Sequence, residues 1–239
     1  MHSLKRTILV TGASSGIGKA ITEKILHLGH QVIGISRTPD QLVRNCEGFS
    51  AFTMDFSKLD VLPAQLKVLK KRFPNIDTII FSAGIGLFGN LEEFSHHQIQ
   101  SSLAVNFTGQ VFLTKEFLPA LKKKTIADLI YIGSEAALKG ARKGSIYCAS
   151  KFAVRGFTQA LREECAKNSV RVSLINPGMV KTEFFQSLSF EPGEEPNQHL
   201  LAEDIANAVV YILNARSGIV IDEINLNPAN KVVRHKKTN

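Results

Sequence analysis

The chain has 239 residues, 44% of them apolar and 21% charged, enough to bury the core of one sizeable domain and too ordinary a mixture for a disordered chain. The net charge of +8, from 29 basic and 21 acidic residues, suits an anionic small molecule as partner. The basic residues are dispersed apart from 122–124 and the tail 231–237, and no nucleic-acid-binding motif accompanies them, so nucleic acid is excluded as the expected partner. Cys46, Cys148 and Cys165 lack metal-like spacing, which argues against zinc or any other metal and against a disulfide framework. No apolar run approaches the ~20 residues that cross a membrane, and the first residues carry no signal-peptide pattern. A cytoplasmic protein without a membrane partner is expected.

The first strand-like run, TILVTG at 7–12, leads into the turn TGASSGIG. A segment of helical spacing follows at 16–28, with Ile17, Ala20, Ile21, Ile25 and Leu28 on one side and Gly29 just beyond its end. Gly12, Gly16 and Gly18 permit a tight turn and leave no Cβ in the way of a phosphate. The helix N-terminus offers free N–H groups and a positive dipole end to a pyrophosphate. The spacing is G-x-x-x-G-x-G, not the G-x-G-x-x-G of many dinucleotide folds. A dinucleotide is the expected ligand.

The second strand, QVIGIS at 31–36, should end near the adenosine ribose, where a carboxylate would bind the ribose hydroxyls of NAD. Ser36 stands there instead, followed by Arg37, and Asp40 comes too late to serve. A serine and an arginine suit a 2′-phosphate. A charge-assisted contact of this kind is worth roughly 1.5–3 kcal/mol, so NADP(H) is favoured over NAD(H).

Further strand-like runs lie at 49–55, 77–84, 128–134, 170–178 and 218–226, rich in Ile, Val and Leu without clean alternation, as in strands covered on both faces. Helical spacing recurs near 58–72, 96–124, 146–168 and 202–215. This alternation predicts one α/β domain over 1–230, a Rossmann-like doubly wound parallel sheet with helices on both faces. Residues 181–200, KTEFFQSLSFEPGEEPNQHL, have no clear period and are expected to form either a substrate lid or a surface loop. Phe184, Phe185 and Phe190 would make a lid apolar. The basic tail 231–239 is expected to be frayed.

The stretch GSIYCASKF at 144–152 sets Tyr147 and Lys151 on one helical face at i, i+4. Moving a phenol pKa from about 10 to about 7 requires ~4 kcal/mol of differential stabilisation. A nearby cation where water is partly excluded favours the phenolate, so the pair reads as a proton donor tuned for neutral pH. Ser134 ends a buried strand at the sheet edge where ligands bind.

Taken in order, TGASSGIG, FSAGIGLFG, VNFTG, IGSEAA, YCASK, NPGMVKT and AEDIANAV resemble the short-chain dehydrogenase/reductase family over roughly residues 5–228. The resemblance implies that Tyr147 is the general acid or base and that Lys151 lowers its pKa and bonds the nicotinamide ribose. It implies that Ser134 orients the substrate oxygen and that Asn106 supports a water linking Lys151 to solvent. The implied cofactor-binding set comprises Gly12, Ser14, Ser15, Gly16, Ile17, Gly18, Ser36, Arg37, Asp55, Phe56, Ala83, Gly84, Asn106, Tyr147 and Lys151, followed by Pro177, Gly178, Val180 and Thr182. Within it, Asp55 would meet the adenine amino group, Ala83 and Gly84 the adenosine ribose, and the last four the nicotinamide. Ser82 departs from the family's usual asparagine, which puts local rigidity in question.

The expected activity is NADP(H)-dependent interconversion of a carbonyl and an alcohol on a small molecule. The alternative is a non-catalytic NADP-binding regulatory or scaffold protein. The family resemblance also implies a homodimer or homotetramer, paired through the long helices near 96–124 and 146–168.

Overall fold

In the computed structural model, which describes residues 5–38 and 46–236, seven parallel strands form one sheet in the order β3-β2-β1-β4-β5-β6-β8. They are β1 (Thr7–Thr11), β2 (Gln31–Ser36), β3 (Phe49–Thr53), β4 (Thr78–Phe81), β5 (Ala127–Ile132), β6 (Val170–Pro177) and β8 (Glu223–Leu226). The chain winds outward from β1 in one direction and then from β4 in the other. The switch point therefore lies between β1 and β4, which pair from Ile8 with Thr78 to Thr11 with Phe81.

Helices cover both faces as the alternation predicts. On one face α2 (Leu62–Arg72), α4 (Gly109–Leu121) and α5 (Ser145–Glu164) enclose a core containing Leu66, Leu113, Phe117 and Val154. On the other, α1 (Gly16–His27) packs on α6 (Ala202–Asn214) through Ile21, Ile25, Ile205 and Val209. Ile21 and Ile25 are wholly buried, each contributing about 1.5–3 kcal/mol by leaving water.

Three expectations change. The predicted helix 96–124 is interrupted. It starts as α3 (His96–Leu103), capped reciprocally by Ser95 and Gln98, passes through one π-helical turn at Ala104–Thr108, and resumes as α4. Gly109 follows that turn, where an added Cβ would lie 2.8 Å from the Phe56 ring, so the helix lies close against β3's continuation. The segment 181–200 is ordered rather than featureless. Its base closes through a bridge between Val180 and Leu200, and it contains β7 (Phe190–Pro192) and short 3-10 turns at Glu183–Phe185 and Pro196–Gln198.

Third, the described part of the tail is not frayed. Residues Val233–His235 form β9 and pair antiparallel with β7, from Phe190 opposite His235 to Pro192 opposite Val233. Each strand supplies the backbone partners the other lacks. Residues 237–239 and Asp40 lie outside the described residues.

Candidate active site

The glycine turn is held by β2, because the Gly12 and Ala13 amides both donate to Ile35 O, at 2.9 and 3.2 Å. Gly12 has φ +70° and Gly16 φ +49°, conformations that a side chain would strain. A Cβ on Gly18 would lie 2.2 Å from Gly12 O, so only glycine lets α1 start this close to β1. Ser15 precedes α1 without capping it by its side chain, and the amides of the first helical turn have no earlier turn to bond. Ser14 is half-buried, Ser15 exposed, and Ile17 packs its side chain on the α1–α6 core. This cradle fits a dinucleotide pyrophosphate.

At the end of β2, Ser36 donates its hydroxyl to Thr38 O at 2.9 Å, which orders the turn carrying the exposed Arg37. Asp55 accepts from the amide and hydroxyl of Ser57 at 2.9 and 2.8 Å. Burial works against ionisation of this carboxyl, but the Ser57 bonds, with Arg37 and Lys58, hold it below the usual carboxylate range. Arg37 and Asp55 thus stand on neighbouring strand ends, with Phe56 buried beside them.

The turn after β4 is secured from β1. Thr11 Oγ1 accepts from the amides of Ser82 and Ala83, both at 3.0 Å. That answers the concern raised by Ser82: the backbone at this position is tied by Thr11, whatever Ser82's own side chain does. An added Cβ on Gly84 would lie 3.5 Å from Asn106 Oδ1 and 3.7 Å from Lys151 Nζ, so the three positions converge.

Asn106 sits in the π-helical turn and is wholly buried. Its Oδ1 accepts from the Ile85 amide at 2.8 Å, and its Nδ2 donates to Ile85 O at 2.9 Å and to Ser150 Oγ at 3.1 Å. Ser150 in turn donates to Tyr147 O at 2.7 Å. The amide of Asn106 thereby fixes the β4 loop and the first turns of α5 in one unit.

Ser134 follows β5 with its hydroxyl close enough to the Tyr147 phenol to lower the phenol's pKa. Its hydroxyl also accepts from the Ala136 amide at 3.1 Å, and its own amide donates to Asn176 Oδ1 at 3.3 Å. Asn176 is a residue that the spacing of motifs did not single out. Its Nδ2 donates to Glu223 Oε1 and Asn225 Oδ1, at 2.8 and 2.9 Å, and so links the ends of β5, β6 and β8. A Cβ on Gly133 would lie 2.2 Å from its Oδ1. The available signal was its place at the strand end, in NPG, beside Pro177 and Gly178.

Tyr147 and Lys151 come together on one face of α5. Lys151 Nζ lies 5.8 Å from the Tyr147 ring centroid and donates to Ile132 O at 3.0 Å. The titration behaviour differs from the expectation. Burial pushes the Tyr147 phenol up to about 12, overriding the Ser134 hydrogen bond that lowers it. Burial also pushes the Lys151 ammonium down to about 8. Burial therefore favours the protonated phenol of Tyr147 at neutral pH.

The flap joins the site at its root. Thr182 Cβ stands 3.3 Å from where a Gly16 side chain would begin, so the segment after β6 reaches the glycine turn. Pro177 and Val180 are buried there, and Gly178 allows close approach to Asn227. A concavity of about 270 Å³, lined by Gln31, Phe49 and Arg72 among others, lies at the other edge of the sheet, remote from Tyr147.

A glycine-cradled helix N-terminus at a switch point, with a tyrosine, serine and lysine converging beside it, defines a dinucleotide-dependent oxidoreductase fold. The model of the short chain dehydrogenase family matches residues 6–192, and the chain belongs to that family. It is 31% identical to an uncharacterized oxidoreductase of Staphylococcus aureus (strain MRSA252), over 92% of this chain and 96% of that one. It is 29% identical to the NADP-dependent 3-hydroxy acid dehydrogenase of Schizosaccharomyces pombe, over 95% and 93% of the two chains. Among solved structures it resembles an alcohol dehydrogenase from Thermococcus sibiricus complexed with 5-hydroxy-NADP, with TM-score 0.84 and 26% identity over 96% and 99% of the chains. Among the described residues no helix is long and apolar enough to cross a membrane, and no cluster of His, Cys, Asp and Glu could hold a metal ion.

Proposed function

We propose that this chain is an NADP(H)-dependent oxidoreductase that interconverts a carbonyl and an alcohol on a small molecule, with Tyr147 as the proton-exchanging residue. The observation that carries the reading is the convergence of Ser134, Tyr147 and Lys151 beside the glycine cradle. The names of the fission-yeast relative and the archaeal neighbour support NADP as the cofactor.

The cradle of Gly12, Gly16 and Gly18 would hold the pyrophosphate, Arg37 the 2′-phosphate, and Lys151 the nicotinamide ribose. When bound, NADPH supplies the hydride. Ser134 holds the carbonyl oxygen toward Tyr147. Tyr147 Oη gives its proton to that oxygen as negative charge develops there. The Lys151 ammonium then favours the phenolate left behind. Asn106 acts as a positioning residue, through Ile85 and Ser150.

Paired titrations with NADPH and NADH, followed by turnover over a panel of carbonyl compounds, test this reading. The wild type is expected to prefer NADPH, and Arg37→Ala to lose about tenfold to a hundredfold of that preference. Folded protein that binds neither nucleotide would overturn the assignment.

A further inference from the structure

The surroundings of Tyr147 say more about the substrate than the motifs do. Four phenylalanine rings form a chain of contacts over it. Phe88 lies 4.9 Å from the Tyr147 ring and Phe184 5.9 Å from it. Phe190 meets Phe88 edge-on at 5.0 Å, and Phe185 links Phe184 and Phe190 at 5.2 and 5.8 Å. Phe88 comes from the loop after β4, and the other three come from the flap.

These rings are not ordinary core. The core pair Phe81 and Tyr131 stacks at 4.1 Å with both residues wholly buried, whereas all four flap-side rings are half-buried. Their floor is glycine. A Cβ on Gly86 would lie 2.8 Å from Phe184, and one on Gly144 would lie 3.4 Å from Phe88, so the rings rest directly on backbone.

The charge pattern points the same way. A carboxylate or phosphate on the substrate would need an available cation. The cations of the tail are engaged, Lys231 with Glu135, Arg234 with Glu194 and Lys236 with the carbonyls of Phe185 and Gln186, while Lys143 and Lys181 are exposed to solvent and make none of the ring contacts. Glu135, next to Ser134, makes its negative charge felt at Tyr147 and would repel an anion. The same tail contacts, with the β7–β9 ladder, hold Phe185 and Phe190 in place.

We propose that the site takes a neutral, ring-bearing carbonyl compound, whose flat apolar face lies among Phe88, Phe184 and Phe190. A hydroxy acid or sugar phosphate fits this lining poorly. The inference rests on Tyr147 being the proton donor, and it adds the class of compound whose oxygen receives that proton. Offset and edge-on ring contacts give such a substrate a gain beyond area burial.

The test compares 1-phenyl-1,2-propanedione, 2,3-butanedione and acetoacetate as substrates for the full chain with NADPH, after NADPH binding has been measured by itself. The phenyl dione is expected to exceed butanedione by about tenfold or more in kcat/KM, with acetoacetate the poorest. Phe88→Leu and Phe190→Leu are each expected to reduce that advantage, chiefly through a raised KM for the phenyl dione, while NADPH affinity measured by itself stays close to wild type. Acetoacetate as the best substrate would overturn the proposal, as would a phenyl advantage that survives in both variants. Tight NADPH binding with no turnover of either dione also overturns it while leaving the cofactor assignment intact. Failure to bind NADPH removes the underlying functional reading, and the proposal with it.

Discussion

The two edges of the sheet both bury charge, and they handle it in opposite ways. At the N-terminal edge, Asp128 lies wholly buried between two arginines. Arg171 grips it bidentately at 2.7 and 2.9 Å, and Arg6 reaches it at 2.9 Å while also holding Asp77 at 2.6 Å and Thr78 at 2.6 Å. At the C-terminal edge, Lys151 is 5% exposed, forms no ion pair among the described residues, and leans on one carbonyl. A saturated network of this kind fixes strands β1, β4, β5 and β6 in register. A buried cation without a counterion is unfavourable on its own, and it persists where its charge is used in binding or proton transfer. The difference separates the edge that builds the protein from the edge at which the proposed chemistry would take place.

Substitutions at the two edges should therefore separate stability from activity. Asp128→Asn leaves two buried arginines short of charge and is expected to cost about 3–5 kcal/mol of stability, read as a lowered denaturant midpoint. Its kcat per folded molecule should stay near wild type. An unchanged midpoint would remove the structural half of the comparison.

Removal of residues 231–239 probes the middle ground, because β9 braces the flap but touches neither the glycine cradle nor Lys151's carbonyl partner. Loss of the ladder and of the Lys236 contacts is expected to raise the KM for a carbonyl substrate by about tenfold, the scale of one or two lost hydrogen bonds. NADPH affinity should hold. An unchanged KM would assign the tail no part in the site.

The smallest effect is a pH dependence. Lys151 is charged below about pH 8 and neutral above it, because burial lowers its pKa. In the proposed mechanism the charged form favours the phenolate that Tyr147 would become on giving up its proton. Reductive kcat/KM should thus sit on a plateau at lower pH, fall to half near pH 8, and decline further above. Tyr147 itself, pushed to about 12, stays protonated across that range. A profile that stays flat through pH 8 would separate Lys151's charge from the chemistry.

Much of the fold was legible because its determinants are local. The Ile- and Val-rich runs are strands covered on both faces, and the glycines of the first turn are needed by the geometry found there. Ser134, Tyr147 and Lys151 are placed by one strand end and one helix, both of which the sequence pattern marks. What escaped the sequence depends on partners far along the chain. β7 is three residues long, contains Pro192, and ladders with a strand some forty residues later, so neither segment reads as a strand alone. The π turn at Asn106 owes its form to Ile85 and Ser150, which lie twenty-one and forty-four residues away. The direction of the Tyr147 shift escaped for the same reason: burial is a property of the assembled flap and core, and it outweighs the adjacent hydrogen bond.

The most direct test of Tyr147 as proton donor is Tyr147→Phe, with NADPH affinity, melting temperature and kcat for carbonyl reduction measured on the same preparation. The substitution keeps the ring among Phe88 and Phe184 and removes only the hydroxyl. Affinity and melting temperature are expected to stay near wild type while kcat falls by about 10²–10⁴. Turnover retained at wild-type level in a folded, NADPH-binding variant would contradict the assignment.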